Sequence, residues 1–334
     1  MKIINKNIKL ILTIPTNMKI RFFAYLAFLF LSVNVAFAQD YAFKVLGSKG
    51  HNTVGGSTLK VGSKLTATQT LEVGEGSYLG LAHSNGKTIE LTKKGAYKVQ
   101  DLVAQVNSSG TLTSQYAKFV IDELTEAGSE GVAAKNRFQH MNKTGSVTRG
   151  LGSVATLLPG DKPKIYGNNL TLKWFLKEEV AFKDKIDRYK VQIANLSDET
   201  LYSGEVKGDM TTIDLSSNPK LSKEGVLITK IIPLDASGSP LENVGTIDGV
   251  AISRLEEGES KEISTELGTI NKDNQGALGK LIEARFFEDK ELYADAIHAY
   301  EEAIKISGGA EQFKKIYQFF LERNSLTKET SAKE

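Results

Sequence analysis

Ser57-Thr58-Leu59-Lys60 spells S-x-x-K and Lys143-Thr144-Gly145 spells K-T-G, two of three motifs used together in acyl transfer by a lysine-assisted serine. That chemistry needs the serine at a helix start, so that a lysine one turn later reaches its hydroxyl. Here Gly55-Gly56 and Val61-Gly62 flank the tetrapeptide with turn formers and predict a strand. On a strand, residues i and i+3 point to opposite faces. The third motif should precede K-T-G, yet Ser216-Ser217-Asn218 follows it. No nucleophile is assigned.

Asn271-Lys272-Asp273-Asn274-Gln275-Gly276 begins like a calcium loop, but the twelfth position, where a bidentate Glu belongs, is Ile282, with Glu283 one residue late. A helix-capping loop is the expectation there. His51, His83, His140 and His298 are dispersed without metal-ligand spacing and are expected on the surface or in turns. No glycine loop of phosphate-binding type follows a strand and opens a helix. The sequence therefore assigns no catalytic, cofactor-binding or metal-binding residue and no cofactor, and the expectation is a non-enzymatic protein.

The clearest signal concerns location. Lys19 and Arg21 form a positive stretch, Phe22 to Leu31 an apolar run, and Ala36-Phe37-Ala38 a small-x-small cleavage signature that leaves Gln39 first. Ten apolar residues are too few for a spanning helix, which needs about 20, so no retained membrane span is expected. The start is either Met1, with a long positive region, or Met18. Removing residues 1–38 takes away five Lys/Arg and no acid, so the net charge moves from +2 to −3. Basicity thus belongs to the leader, and no case for nucleic acid remains. The chain has no cysteine, which excludes disulfides, thiolate metal sites and a lipidated cysteine. Together these point to an exported bacterial protein, in the periplasm.

Residues 39–106 alternate apolar positions in short runs, Phe43/Val45, Leu59/Val61, Leu71/Val73, Leu79/Leu81, Ile89/Leu91 and Tyr97/Val99. Turn formers separate them, Asn85-Gly86 being a candidate type I′ hairpin turn. A sandwich or roll of six to eight strands follows. The succession Leu59-Lys60-Val61-Gly62-Ser63-Lys64-Leu65, Leu71 to Leu81, Ser84 to Leu91 and Gly95 to Val99 resembles the FecR domain. FecR-type regulators carry a cytoplasmic anti-sigma region and a membrane span ahead of this domain; 21 residues before Phe22 cannot fold into such a module. The resemblance implies a periplasmic location and a β module that contacts a ligand or protein.

Within residues 107–150, Tyr116, Phe119, Val120 and Leu124 recur at helical spacing and predict an amphipathic helix over Ser114 to Ala127, followed by a flexible connection from Ser129. Residues 151–252 return to alternation, through Leu170/Leu172/Trp174, Tyr189/Val191/Ile193 and Val226/Ile228, and are similar to immunoglobulin or fibronectin type III sandwiches. Residues 253–275 read as an acidic linker, a hinge or solvated helix, with Glu256, Glu257, Glu259 and Glu262.

Residues 276–327 are helical by pattern, and 328–334 form a tail. Ala284, Phe287, Ala296, Tyr300 and Ala303 resemble one tetratricopeptide repeat, with small residues letting two antiparallel helices approach and two aromatics filling the contact. Lys280 stands where that family has Trp, and Gly308-Gly309 replaces its closing Pro. One and a half repeats do not stand alone, so the helices must lean on the second sandwich or on another chain. The expected fold is mainly β with a C-terminal helical segment. The expected role is an envelope binding or scaffolding module that engages a protein, with a glycan as alternative ligand. The other readings are a sensory relay working with a membrane partner, and a hydrolase without a recognisable motif.

Overall fold

The computed structural model describes residues 41–106, 111–128, 154–156, 158, 163–176, 183–241, 247–273, 276–324 and 326. The expected leader with Ala36, Ala38 and Gln39, the connection from Ser129 to Gly150 with Lys143-Thr144-Gly145 and His140, and the tail lie outside the described residues. Helix and strand have comparable shares, so the chain is mixed α and β where a mainly β chain was expected. No described helix is long and apolar enough to cross a membrane.

The first β unit has strands β1 (Phe43–Lys49), β2 (Asn52–Val54), β3 (Ser57–Thr58), β4 (Lys64–Leu65), β5 (Thr70–Val73), β6 (Tyr78–His83), β7 (Thr88–Leu91) and β8 (Gly95–Lys98), then helix α1 (Val99–Ala104). They form two four-stranded sheets, β4-β1-β6-β7 and β3-β2-β5-β8. The alternating residues Phe43, Val45, Leu65, Leu71, Val73, Leu79, Leu81 and Leu91 share one buried cluster, because period-2 alternation puts them on one face of each strand. The Asn85-Gly86 turn differs from expectation. Gly86 alone takes positive φ, and Gly86 N–H donates to His83 O while His83 N–H donates to Lys87 O. A type I turn closed by a left-handed glycine, with a three-residue loop, thus replaces type I′.

The second β unit comprises β9 (Val154–Thr156), β10 (Lys164–Ile165), β11 (Asn169–Leu176), β12 (Arg188–Ala194), β13 (Thr200–Val206), β14 (Met210–Asp214), β15 (Val226–Leu234) and β16 (Ile247–Arg254), with short helix α3 (Pro219–Lys223). One sheet has the order β10-β16-β15-β12-β13 and the other β14-β11-β9. Only the β10–β16 pair is parallel among the pairs described. Trp174 is buried in this core, its ring edge-on to Tyr189 at 5.4 Å.

Helices α2 (Thr111–Gly128), α4 (Glu257–Asp273), α5 (Gly276–Asp289), α6 (Tyr293–Ile306) and α7 (Glu311–Arg323) build a third core. The acidic stretch is a helix because Ile263 and Ile270, seven residues apart, lie on one face and are buried there, leaving the acids outward. Within the expected linker, Glu257–Asp273 is therefore a helix packed through these two residues.

Leu46, Tyr78 and Ala82 of the first β unit join this helical core. The sequence separates that unit from α5–α7 by about 180 residues, yet α5 packs on β7 and α7 on β1. Glu90 on β7 accepts the backbone N–H groups of Ala277 (3.0 Å) and Leu278 at the start of α5, supplying acceptors and negative charge to a helix N-terminus. On the other side α6 lies along β11 and β10. Asp295 accepts N–H bonds from Tyr166 (2.8 Å) and Gly167 (2.7 Å), and Lys173 pairs with Glu301 at 2.9 Å. The helices are thus shared by both β units.

Candidate functional site: a helix seated in a groove

The residues expected to build a repeat-like pair lie buried in the helical core. Ala284, Ala296 and Ala303 have no exposure, Phe287 keeps 4% and Tyr300 1%. Alanines at these positions let the α5 and α6 backbones approach, and the aromatics fill the space beside them. Tyr300 stacks on Tyr317 at 5.4 Å and packs on Phe320 at 4.8 Å, while Phe287 meets Phe286 at 5.6 Å. None of the five has surface to offer a partner directly; they shape the surface that others present.

That surface is the groove between α5 and α7, and α2 lies in it. Tyr116 stands edge-on to Phe286, centroids 5.8 Å apart, and its hydroxyl donates to Asp289 Oδ2 at 3.3 Å. Ala117, Val120 and Leu124 are buried in the helical core. Phe119, half-buried, lies under the Arg285 guanidinium at 4.0 Å and within 5.6 Å of Arg323. Each such cation–aromatic contact contributes roughly 0.5–2 kcal/mol. The amphipathic pattern found for α2 has its partner here.

Arg323 is the hub of this site. It hydrogen-bonds both carboxylate oxygens of Glu288, with Nη2 to Oε2 at 2.6 Å, contacts Glu123 Oε1 on α2, and reaches Tyr300 Oη at 3.4 Å. Asn324 adds a bond to Glu288 at 2.8 Å. Burial alone would raise Glu288, but the Arg323 bonds outweigh it and hold the carboxyl below its usual range. Burial pushes Glu123 up to about 7, opposed by Arg323 and reinforced by the Glu288 charge. The guanidinium's charge is largely satisfied by Glu288, and Glu123 Oε2 has no hydrogen-bond partner. Glu123 is therefore the weak member: one oxygen is held by Arg323 and the other is buried without compensation.

Other candidate chemistry is not assembled. Ser57 is exposed on β3, and Lys60 lies beyond the strand in an exposed turn. Ser216 Oγ donates to Asp214 at 2.6 Å, and Asn218 caps α3 through Lys220 N–H at 2.9 Å. Asn271 to Asp273 end α4 and Gly276 opens α5. Among the described residues no group of three or more His, Asp or Glu is placed to hold a metal ion. His51 is exposed and His83 stands edge-on to Phe43 at 5.1 Å. His298 is half-buried, its Nδ1 3.0 Å from Thr171 Oγ1, which also lies 2.9 Å from Thr212 Oγ1. Burial lowers its pKa. Thr171 has no exposure, so this Thr–His pair joins α6 to β11 and presents no nucleophile.

Sequence reasoning missed Arg285, Arg323, Glu288, Glu90 and Asp295. The contacts that tie them to other elements reach far along the chain, up to 200 residues for Arg323 and Glu123. The available signal was the unpartnered apolar stripe of α2 together with the need of the C-terminal helices for support. Comparison with protein-family models, curated proteins and solved structures yields no match to this chain.

Proposed function

We propose that the mature chain is an exported, non-enzymatic binding or scaffolding module of the bacterial cell envelope, and that its α5–α7 groove is the surface that engages a protein. The observation that carries this reading is the seated α2: an amphipathic helix lies in a groove lined by Phe286, Arg285 and Arg323, the helix-in-groove mode of protein recognition. The leader sequence supports the location. Two four-stranded sheets support the FecR-like reading of the first unit. In the second unit, the strand orders β9-β11-β14 and β13-β12-β15-β16 support the immunoglobulin-like reading, in which they would correspond to A-B-E and C′-C-F-G. Ala284, Phe287, Ala296, Tyr300 and Ala303 support the tetratricopeptide-like reading of the α5–α6 pair.

The test is affinity capture of the mature protein from crosslinked envelope extracts, wild type beside Arg285→Glu. The reading expects a reproducible protein partner whose recovery falls with the groove substitution. Recovery of the same partner in undiminished amount by the variant contradicts the groove as the surface.

A further inference from the structure

Building on the groove reading above, we infer that α2 is a detachable resident of the α5–α7 groove, and that a partner helix with the same pattern takes its place: aromatic, aromatic three residues on, apolar at the fourth, acidic at the seventh and apolar at the eighth.

Three observations support exchange. The groove is built without α2: Glu90 fixes the start of α5, Phe313 of α7 packs edge-on to Tyr78 of β6 at 5.6 Å, and Arg323, Asn324 and Glu288 bind one another across α7 and α5. When α2 leaves, these contacts stay. Second, the hold on α2 is incomplete. Glu123 is part-buried, with Oε2 buried and unpartnered, among Arg323 on α7, Glu288 and Arg285 on α5 and the Tyr300 hydroxyl of α6, so desolvating its charge opposes docking. Third, 25 residues of chain join Gly128 to Val154, a length that reaches roughly 80 Å when extended.

The chemistry of the incoming helix follows from the walls. Arg285 and Arg323 sit over an aromatic ring and beside a carboxylate, which selects an acidic helix over a basic one. Phe286 takes an aromatic edge-on, and the α5–α7 core takes the apolar residues occupied here by Val120 and Leu124.

The experiment uses a fluorescent peptide of residues 111–128 added to the mature protein, with anisotropy as readout. Saturable binding to wild type is expected. Binding to the chain carrying Phe119→Ala and Leu124→Ala should be about tenfold tighter or more, because its own α2 competes less for an unaltered groove. A peptide bearing those two substitutions should not bind. Absence of peptide binding to both proteins, each folded by circular dichroism, overturns the inference. Should the double variant fail to fold, hydrogen exchange of wild type decides. Amides of residues 115–125 opening before those of α5–α7 support exchange; opening only together with them overturns it. Peptide exchange without any envelope partner would sink the functional proposal alone. A captured partner that excess peptide does not displace would sink the partner assignment made here.

Discussion

Gly47 on β1 and Gly80 on β6 are cross-strand partners, and together they leave a bare spot on the sheet where the helical layer enters. A Cβ on Gly47 would lie 2.7 Å from the Phe313 ring, and one on Gly80 would lie 3.1 Å from Leu278 Cδ1. Phe313 and Leu278 have no exposure, so neither has free space to retreat into. Gly47→Ala and Gly80→Ala should each cost ~1–3 kcal/mol by overpacking. Denaturant titration checks this, and the double variant should be non-additive because a Cβ at either position would also meet the Tyr78 side chain.

The α5 N-terminus gives a second prediction. Glu90→Ala leaves the Ala277 and Leu278 N–H groups without their acceptor in a part-buried position, at a cost of ~1–3 kcal/mol. Glu90→Gln keeps one acceptor oxygen and should cost less. Burial raises Glu90, only partly offset by the Leu278 and Ala277 N–H bonds, so its contribution to stability is full below the unfolded carboxylate pKa and is lost as pH rises through the raised folded value.

Two buried carboxyls set the expected pH dependence. Glu123 is raised from 4.5 to about 7, and Asp295 from 3.8 to about 6, each first by burial. For a raised pKa the stabilising contribution is full below the unfolded value and is lost as pH rises through the folded one. The melting temperature should therefore fall as pH rises from about 4.5 to about 7. Glu288, held low, contributes the opposite sign and loses its stabilisation as pH falls below 4.5. Glu123→Gln should flatten the upper part of the fall. A variant with the wild-type slope across that window would show that Glu123 does not control it.

Ser57→Ala should leave stability within about 0.5 kcal/mol of wild type, since Ser57 is exposed on β3 and has no helix to align it with Lys60. Turnover of an ester or glycan panel by wild type and its loss in this variant would contradict the absence of serine chemistry.

Much of the local structure was legible because short-range physics controls it. Period-2 alternation located β1, β5, β6 and β7, and spacing of Tyr116, Phe119, Val120 and Leu124 located α2. The type I′ turn failed because Asn85 did not adopt positive φ; the three-residue loop needed only Gly86 there. Ile263 and Ile270 were too sparse among acids for the stretch to read as packed. The groove was half legible: Ala284, Ala296 and Ala303 marked the close helix pair, and the amphipathic stripe marked α2 as needing a partner. Their meeting was not, because Arg323 and Glu123 are brought together only by tertiary folding.

Ala296→Leu tests whether the C-terminal helices form a core shared with the first β unit. Ala296 is fully buried in the helical core, so the added methylenes should cost ~1–3 kcal/mol. Hydrogen exchange by mass spectrometry should find lost protection in α5–α7 and, with it, in β1, β6 and β7 of the first β unit. Loss confined to residues 276–326, with β1, β6 and β7 as protected as in wild type, would contradict a shared core.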